Sequence, residues 1–383
     1  MKILIYFSLI CIVVFSCRND ELVIHSDMQD TGAKPIVGNL AGMYILCEGN
    51  MGSNKASVDY LDLSADGGTV KYYRNIYPER NPNEIKELGD VGNDIKVTGN
   101  QLWMVINCSN MVVVATADSC RKIAKIDIPN CRYVTFDDSY AYVSSYVGPV
   151  EVGGTEHLGR VYKVDTASFK KIDSVTVGYQ PEEMVILNGL LYVANSGGYL
   201  IDKSERSVSI VDLHSFKEIN KIEVAPNLHR LRKDKYGNLW VTSRGDYWSE
   251  HSQLFCLELD SNGLMSNLTS YDLPVSDLCI VGDSLYYIGV EWSYENNSNK
   301  VCHGILNIRT GQLLGDKVAD DSAWGSITLP YGIIVNPIDR DFYVMDAKDY
   351  LSSGQLFHFN ADGTFDWSVW TGDIPGHAAF VYK

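Results

Sequence analysis

The residues of this chain best suited to chemistry are rings with a polar tip, set in loops. Tyr146, Tyr179, Tyr247, Trp248, Trp292, Tyr294 and Tyr331 lie in or beside stretches of turn-forming and polar residues, and Asn50, Arg244, Asp246 and His377 accompany them. A ring that carries a hydroxyl or an indole N–H presents a large flat area and still bonds at one edge. With amides and a few charges, such rings suit a large rigid ligand with apolar faces and a polar rim. They suit a sugar equally, held by stacking and hydrogen bonds. Catalytic signals are poor. The eight histidines (25, 157, 214, 229, 251, 303, 358 and 377) show no His-Glu-x-x-His or His-x-His spacing, and no Gly-x-Ser-x-Gly or P-loop occurs. Asp66-Gly67 and Asp362-Gly363 lack the other ligands of a calcium loop and read as turns. The acid pairs Glu182-Glu183 and Asp320-Asp321 read as solvated. The expectation is a binding protein and not an enzyme, with no metal and no cofactor.

Composition narrows the partners. The 383 residues are 45% hydrophobic and 21% charged, which is globular and not disordered. A net charge of -16 lacks the basic footprint that nucleic acid requires.

The first segment is not part of the fold. Lys2 precedes an apolar run, Ile3 to Ser16, too short to span a bilayer, and it reads as a secretory signal. It ends Phe15-Ser16-Cys17, which resembles a lipobox: Cys17 becomes the lipidated mature N-terminus. The Arg18-Asn19-Asp20-Glu21 that follows resembles the surface-export signal of some lipoproteins. The expected organisation is a signal at 1–16, a lipid-anchored tether at 17–41 and one folded domain at 42–383, held on the outer membrane and facing outward from the cell. Seven cysteines remain beyond Cys11 and Cys17, an odd number without CxxC spacing. Several sit in apolar strand-like runs and read as small buried hydrophobes; one bridge, Cys120 to Cys131, stays open as an alternative.

A repeat runs through the domain. An aromatic, aliphatic, small-residue strand motif recurs at Tyr44, Trp103, Tyr142, Tyr192, Trp240, Tyr286 and Tyr343, seven copies in all. Pro129, Pro181, Pro226, Pro274 and Pro330 precede five of them, spaced by 52, 45, 48 and 56 residues. A period near 50 with short strands means an all-β, seven-bladed β-propeller of four-stranded blades. The motif aromatics recur in every blade and read as packing between blades. Tyr44 has no convincing strand before it, and the chain finishes with Pro375-Gly376-His377-Ala378-Ala379-Phe380-Val381-Tyr382, a first strand with nothing after it. The C-terminus is therefore expected to supply the inner strand of blade 1, closing the ring and removing two open edges.

The unit Gly178-Tyr179-Gln180-Pro181, Leu191-Tyr192-Val193-Ala194-Asn195, Ser207-Val208-Ser209-Ile210-Val211-Asp212 resembles the YVTN/YncE-like propeller repeat, over roughly residues 42 to 383. With the lipobox, the acidic stretch after it, and the opening Cys47-Glu48-Gly49-Asn50-Met51-Gly52-Ser53-Asn54, the chain resembles the BtuG-type surface lipoproteins of gut bacteria. That resemblance implies capture of cobalamin (vitamin B12) or another corrinoid by a monomeric propeller, and delivery to an outer-membrane TonB-dependent transporter. No short motif marks the vitamin binders, so no residue carries over by motif. A glycan-binding propeller, a propeller lyase or hydrolase with acids and His around its pore, and an adhesin-like scaffold remain as alternatives.

Overall fold

The computed structural model describes residues 24–35, 38–64, 68–149, 157–200, 204–293, 298–315, 319 and 321–383, with the side chains of 292, 293, 298 and 321 also outside it. Cys17, Tyr294 and Asp320 thus lie outside the described residues, as does the side chain of Trp292.

Seven antiparallel sheets form the ring, six of four strands and one of five. From blade 1 to blade 7 the inner strands are Pro375–Tyr382, Gly92–Thr98, Cys131–Phe136, Pro181–Leu187, Leu228–Lys233, Asp277–Val281 and Pro330–Val335. The protein is a seven-bladed β-propeller. Among the described residues, helix is confined to two single turns, Tyr77–Arg80 and Asp321–Trp324.

Apolar patterning explains why the blades stack. In the second strand of blade 1, Leu40–Cys47, Tyr44 and Leu46 pack toward blade 2, whereas Met43, Ile45 and Cys47 pack toward blade 7. Successive residues point to opposite faces, so a nearly continuous apolar run marks a strand buried on both sides. Each of the seven gaps between blades holds its own cluster of buried side chains. The motif aromatics fill these gaps; Tyr44, Trp103, Tyr142, Tyr192, Trp240, Tyr286 and Tyr343 are all buried. The seven cysteines from Cys47 onward are free thiols, with Cys120 and Cys131 buried in different gaps.

The C-terminal strand closes the ring as the sequence implies. Tyr44 pairs with Ala379 and Leu46 with His377, so the last strand of the chain is the innermost strand of blade 1. A second closure was not legible. Asp27–Asp30, within the stretch read as tether, adds a fifth strand to the outer edge of blade 1, with Asp27 opposite Arg74. Gln29 spans the seam to blade 7, donating from Nε2 to the Trp370 carbonyl (2.8 Å) and accepting from the Trp370 N–H (2.9 Å). Ser26 donates to Glu79 from its N–H (2.7 Å) and its hydroxyl (2.6 Å).

Three inner strands also tie onto the next blade through an acid. The carboxylates of Asp94, Glu183 and Asp277 accept the N–H groups of Val134, Leu231 and Ile333, each at 3.0 Å. These bonds lock blade 2 to 3, 4 to 5, and 6 to 7.

Deleting Pro375–Lys383 should therefore remove the inner wall of blade 1 and expose two sheet edges. We expect a loss on the order of 5 kcal/mol or more, comparable with the whole stability of many domains. Urea unfolding followed by circular dichroism would show it; a truncated chain with an unchanged midpoint would sink the closure argument.

Candidate functional site

The chain turns sharply as it enters most inner strands. The residue just before the strand has positive φ in five blades: Val91 (59°), Asn130 (41°), Gln180 (49°), Asn227 (55°) and Ile374 (56°). That conformation is strained for branched Val and Ile and persists because packing on both sides imposes it. The strand pairing then shifts register at Gly92/Asp94, Pro181/Met184, Leu228/Leu231 and Pro330/Gly332. Such bulges re-aim side chains. Their result here is that polar pairs at successive positions, Glu182 with Glu183 and His229 with Arg230, are all buried. The solvated reading of Glu182-Glu183 is thereby corrected.

Glu182, His229 and Arg230 help to floor a mouth of about 1180 Å³ over the central pore. Glu182 is the hub. Its carboxylate accepts from Arg132 Nε (3.2 Å) and from the Tyr146 hydroxyl (2.5 Å), and Arg244 Nη1 lies 3.6 Å away. The Arg132 guanidinium sits over the Tyr146 ring, 4.8 Å from its centroid. Burial alone would raise the Glu182 carboxyl, but Arg132, Arg244 and Tyr146 overcome it and hold the group below its ordinary range. Beside it, Arg230 donates from Nη1 to the Tyr133 hydroxyl (3.2 Å), pairs through Nε with Asp277 (3.0 Å), and neighbours His229, whose Nε2 shares a 2.8 Å hydrogen bond with Tyr133. Burial, then the charges of Arg244, Arg230 and Arg132, push His229 well below its ordinary value and keep it neutral. Deeper in the pore Arg232 pairs with Glu183, and Lys96 lies 3.7 Å from Asp94 and 3.9 Å from Glu183.

Across the mouth Glu48 accepts from the Tyr331 hydroxyl (3.2 Å), with His377 Nε2 at 3.8 Å. Burial pushes its carboxyl up to about 7, against the lowering effects of Tyr331 and of Arg132, Arg230 and Arg244. His377 is neutral, lowered by burial and by nearby cations.

The rim is aromatic and open. Trp248 is 79% exposed, Tyr247 60%, Tyr199 45% and Tyr350 44%, and all four line the mouth. Tyr247 is held at φ 67°, and its hydroxyl accepts from Asn227 Nδ2 at 3.0 Å. Asp246 builds the turn beneath: Oδ1 accepts the N–H groups of Trp248 (2.8 Å), Ser249 (2.7 Å) and Glu250 (2.8 Å).

Of the residues singled out from sequence, Asn50, Tyr146, Arg244, Tyr247, Trp248, Tyr331 and His377 line the mouth together. Tyr146, Tyr331 and His377 are wall or floor and not open ring contacts. Asp246 positions the loop, and Tyr179 is half-buried at the end of a strand without lining the mouth. Trp292 stands near the tip of a hairpin of two ten-residue strands, Ser284–Ser293 and Ser298–Asn307, where the sequence had read a loop. Sequence reasoning missed Glu48, Arg132, Tyr133, Glu182, Arg230, Tyr199 and Tyr350 as site residues. The available signal was a polar pair opening an inner strand, as in Arg132-Tyr133, Glu182-Glu183 and His229-Arg230.

Residues 41–366 match the family described as Domain of unknown function (DUF5074). The chain belongs to this family. No curated protein matches it. Similar solved structures include a hypothetical selenium-binding protein from Sulfolobus tokodaii (14% identity, TM-score 0.62, covering 92% of this chain and 96% of that one). Another is a quinonprotein alcohol dehydrogenase-like protein from Bacteroides thetaiotaomicron (13%, 0.61, 90% and 79%). A third is the periplasmic gluconolactonase of Pseudomonas aeruginosa (15%, 0.58, 89% and 99%). At such identities the likeness is one of fold.

Glu48 gives a test of the electrostatics. A carboxyl whose folded pKa exceeds its unfolded value binds the proton more tightly when folded. Its contribution is present below about 4.5 and is lost as pH rises through about 7. The depressed His377 and His229 act oppositely, costing stability as pH falls below about 6.5. Glu48→Gln should therefore gain stability relative to the parent between pH 5 and 7.5, by roughly 2–3 kcal/mol at the upper end. Thermal or urea unfolding across that range would check it; a difference independent of pH would contradict the assignment.

Proposed function

We propose that this protein captures a large, rigid, ring-faced ligand in the mouth, with cobalamin or a related corrinoid as the ligand. The observation that carries the reading is the set of exposed rings, Tyr199, Tyr247, Trp248 and Tyr350, around a cavity of about 1180 Å³. Exposed aromatics gathered over one polar cavity are a binding feature. The rings offer faces for stacking, and Asn50, Asn93, Asn107 and Ser276 line the same space with groups that match amides. Most floor side chains are already paired, so little conformational freedom remains to be lost on binding.

On this reading the protein is a lipoprotein anchored through Cys17 to the outer membrane, facing outward, which passes its ligand to a TonB-dependent transporter. The strand register supports such a hand-over. Asp27 lies opposite Arg74, at the same end of blade 1 as Cys47 and Pro375, where the mouth opens. Chain between Cys17 and Ile24 reaches at most about 25 Å. On this reading an anchor at Cys17 would join the propeller on the mouth side. A second reading, acid–base chemistry on a bound sugar, draws on Glu48 beside His377; turnover of oligosaccharides that Glu48→Gln abolishes would favour it.

Calorimetry of the tether-free protein with cyanocobalamin tests the capture. Trp248→Ala and Tyr247→Ala should each weaken binding by about 1–3 kcal/mol. No heat and no co-elution at micromolar protein would reject the corrinoid, and a glycan array would follow. Separately, Cys17→Ala should move the protein from the membrane to the soluble fraction; unchanged membrane recovery would refute the anchor.

A further inference from the structure

We propose that Arg132 and Arg244, bracketing Glu182, form a preorganised subsite for an oxyanion of the ligand, a phosphodiester or a carboxylate. The inference rests on the mouth being a ligand site and names a group that the ligand must carry.

The argument begins with unused donors. A guanidinium offers five N–H groups in a planar fork suited to two oxygens at once. Arg132 spends Nε on Glu182, and its Nη groups donate to no acceptor among the described residues. Arg244 donates no side-chain hydrogen bond among the described residues; its Nη1 only approaches Glu182, at 3.6 Å. Both arginines line the mouth. Arg244 comes from the loop after the second strand of blade 5, and Arg132 from the inner strand of blade 3. They converge because Glu182, from blade 4 between them, faces both.

Glu182 orients the pair without saturating it. One carboxylate faces two guanidinium groups, so one positive charge remains, and the Tyr146 ring beneath Arg132 fixes its plane. Of the other acids lining the mouth, Glu250 is held by both Nη groups of Arg206 and Glu291 lies 3.8 Å from His251. Glu48 is half-buried against Tyr331 and opposes the remaining charge only when ionised. A partly dry cavity strengthens charge-assisted bonds to whatever anion enters. The overall charge of -16 is carried by the whole chain, and the cationic floor is a local exception to it.

The test compares two corrinoids, one with a phosphodiester anion and one without. Cyanocobalamin carries a phosphodiester in its nucleotide loop; dicyanocobinamide has the corrin and amides without it. Wild type should bind the first about ten- to a hundred-fold more tightly, as expected of one charge-assisted contact. Arg244→Gln should erase most of that ratio by weakening cyanocobalamin and sparing dicyanocobinamide, which separates the phosphodiester from the rest of the loop. Arg244→Lys should keep part of it, supplying charge without the fork. Arg244 is chosen because its side chain is 40% exposed and its loss leaves Glu182 paired with Arg132. Equal binding of the two corrinoids, or equal weakening of both by Arg244→Gln, overturns the subsite while leaving corrinoid capture intact. If neither corrinoid binds, the capture reading fails and the subsite is judged on dimethyl phosphate and on digalacturonate against a neutral digalactoside. Binding of an anionic probe that Arg244→Gln removes would sustain it, identifying phosphate or carboxylate as the source; no binding of either anion would overturn it.

Discussion

Every blade in this ring has two apolar faces, and a sheet with two apolar faces is stable only between two others. That requirement organises the molecule. Blades 2 to 6 receive neighbours automatically from chain order. Blades 1 and 7 must be brought together from the two ends of the sequence, and the chain does so twice. Pro375–Tyr382 completes blade 1 from inside. Asp27–Asp30 covers its outer edge and reaches over the seam through Gln29 and Trp370. The gap itself is reinforced by Asp59, fully buried, which accepts from Tyr72 (2.6 Å), from the N–H of Asn75 (2.8 Å) and, across the seam, from the N–H of Gly372 (3.0 Å).

Closure has a consequence for chemistry. Seven inner strands converging on one axis bring side chains distant in sequence within bonding range, and water is partly excluded there. Identical side-chain types then behave differently according to company. Glu182 is buried and Glu48 half-buried at the mouth, yet one is held below its ordinary range and the other pushed up to about 7. Glu182 is hydrogen-bonded by Arg132 and has Arg244 at 3.6 Å, and their attraction exceeds the loss of solvation. Glu48 touches a hydroxyl and a neutral imidazole, and the same arginines act on it only from further off. Cations at that greater distance do not restore what burial removes from Glu48.

The fold was legible because its signal is repeated. Seven aromatic motifs at one period fix blade number, and an unpaired terminal strand fixes closure, independently of any single residue. The site was legible only in part, for physical reasons. Tyr247 and Trp248 sit in a loop whose composition advertises exposure. Glu182, Arg132 and Arg230 sit in strands, where a charge ordinarily signals a solvated face; their burial depends on bulges and on partners from other blades. Bulges such as Pro181/Met184 arise from strand pairing and leave little local mark. The αL residues before the inner strands are Val, Asn, Gln, Asn and Ile, of which turn preference would select only the two Asn. Strand Asp27–Asp30 is short and polar, and only its edge partners make it a strand.

Rim and floor therefore do different work at the mouth. On the proposed reading, the exposed rings supply area that is tolerant of what stacks on it, because any flat ligand has a face. The floor would supply direction, because its donors are fixed by ion pairs. Loosening the floor to accommodate another ligand would strand a buried charge, at a cost of several kcal/mol. Changing a rim residue strands nothing. On that reading, differences in ligand among propellers of this kind should accumulate at positions such as Trp248 and Tyr350, whereas the Arg132–Glu182–Arg244 group is also constrained by stability.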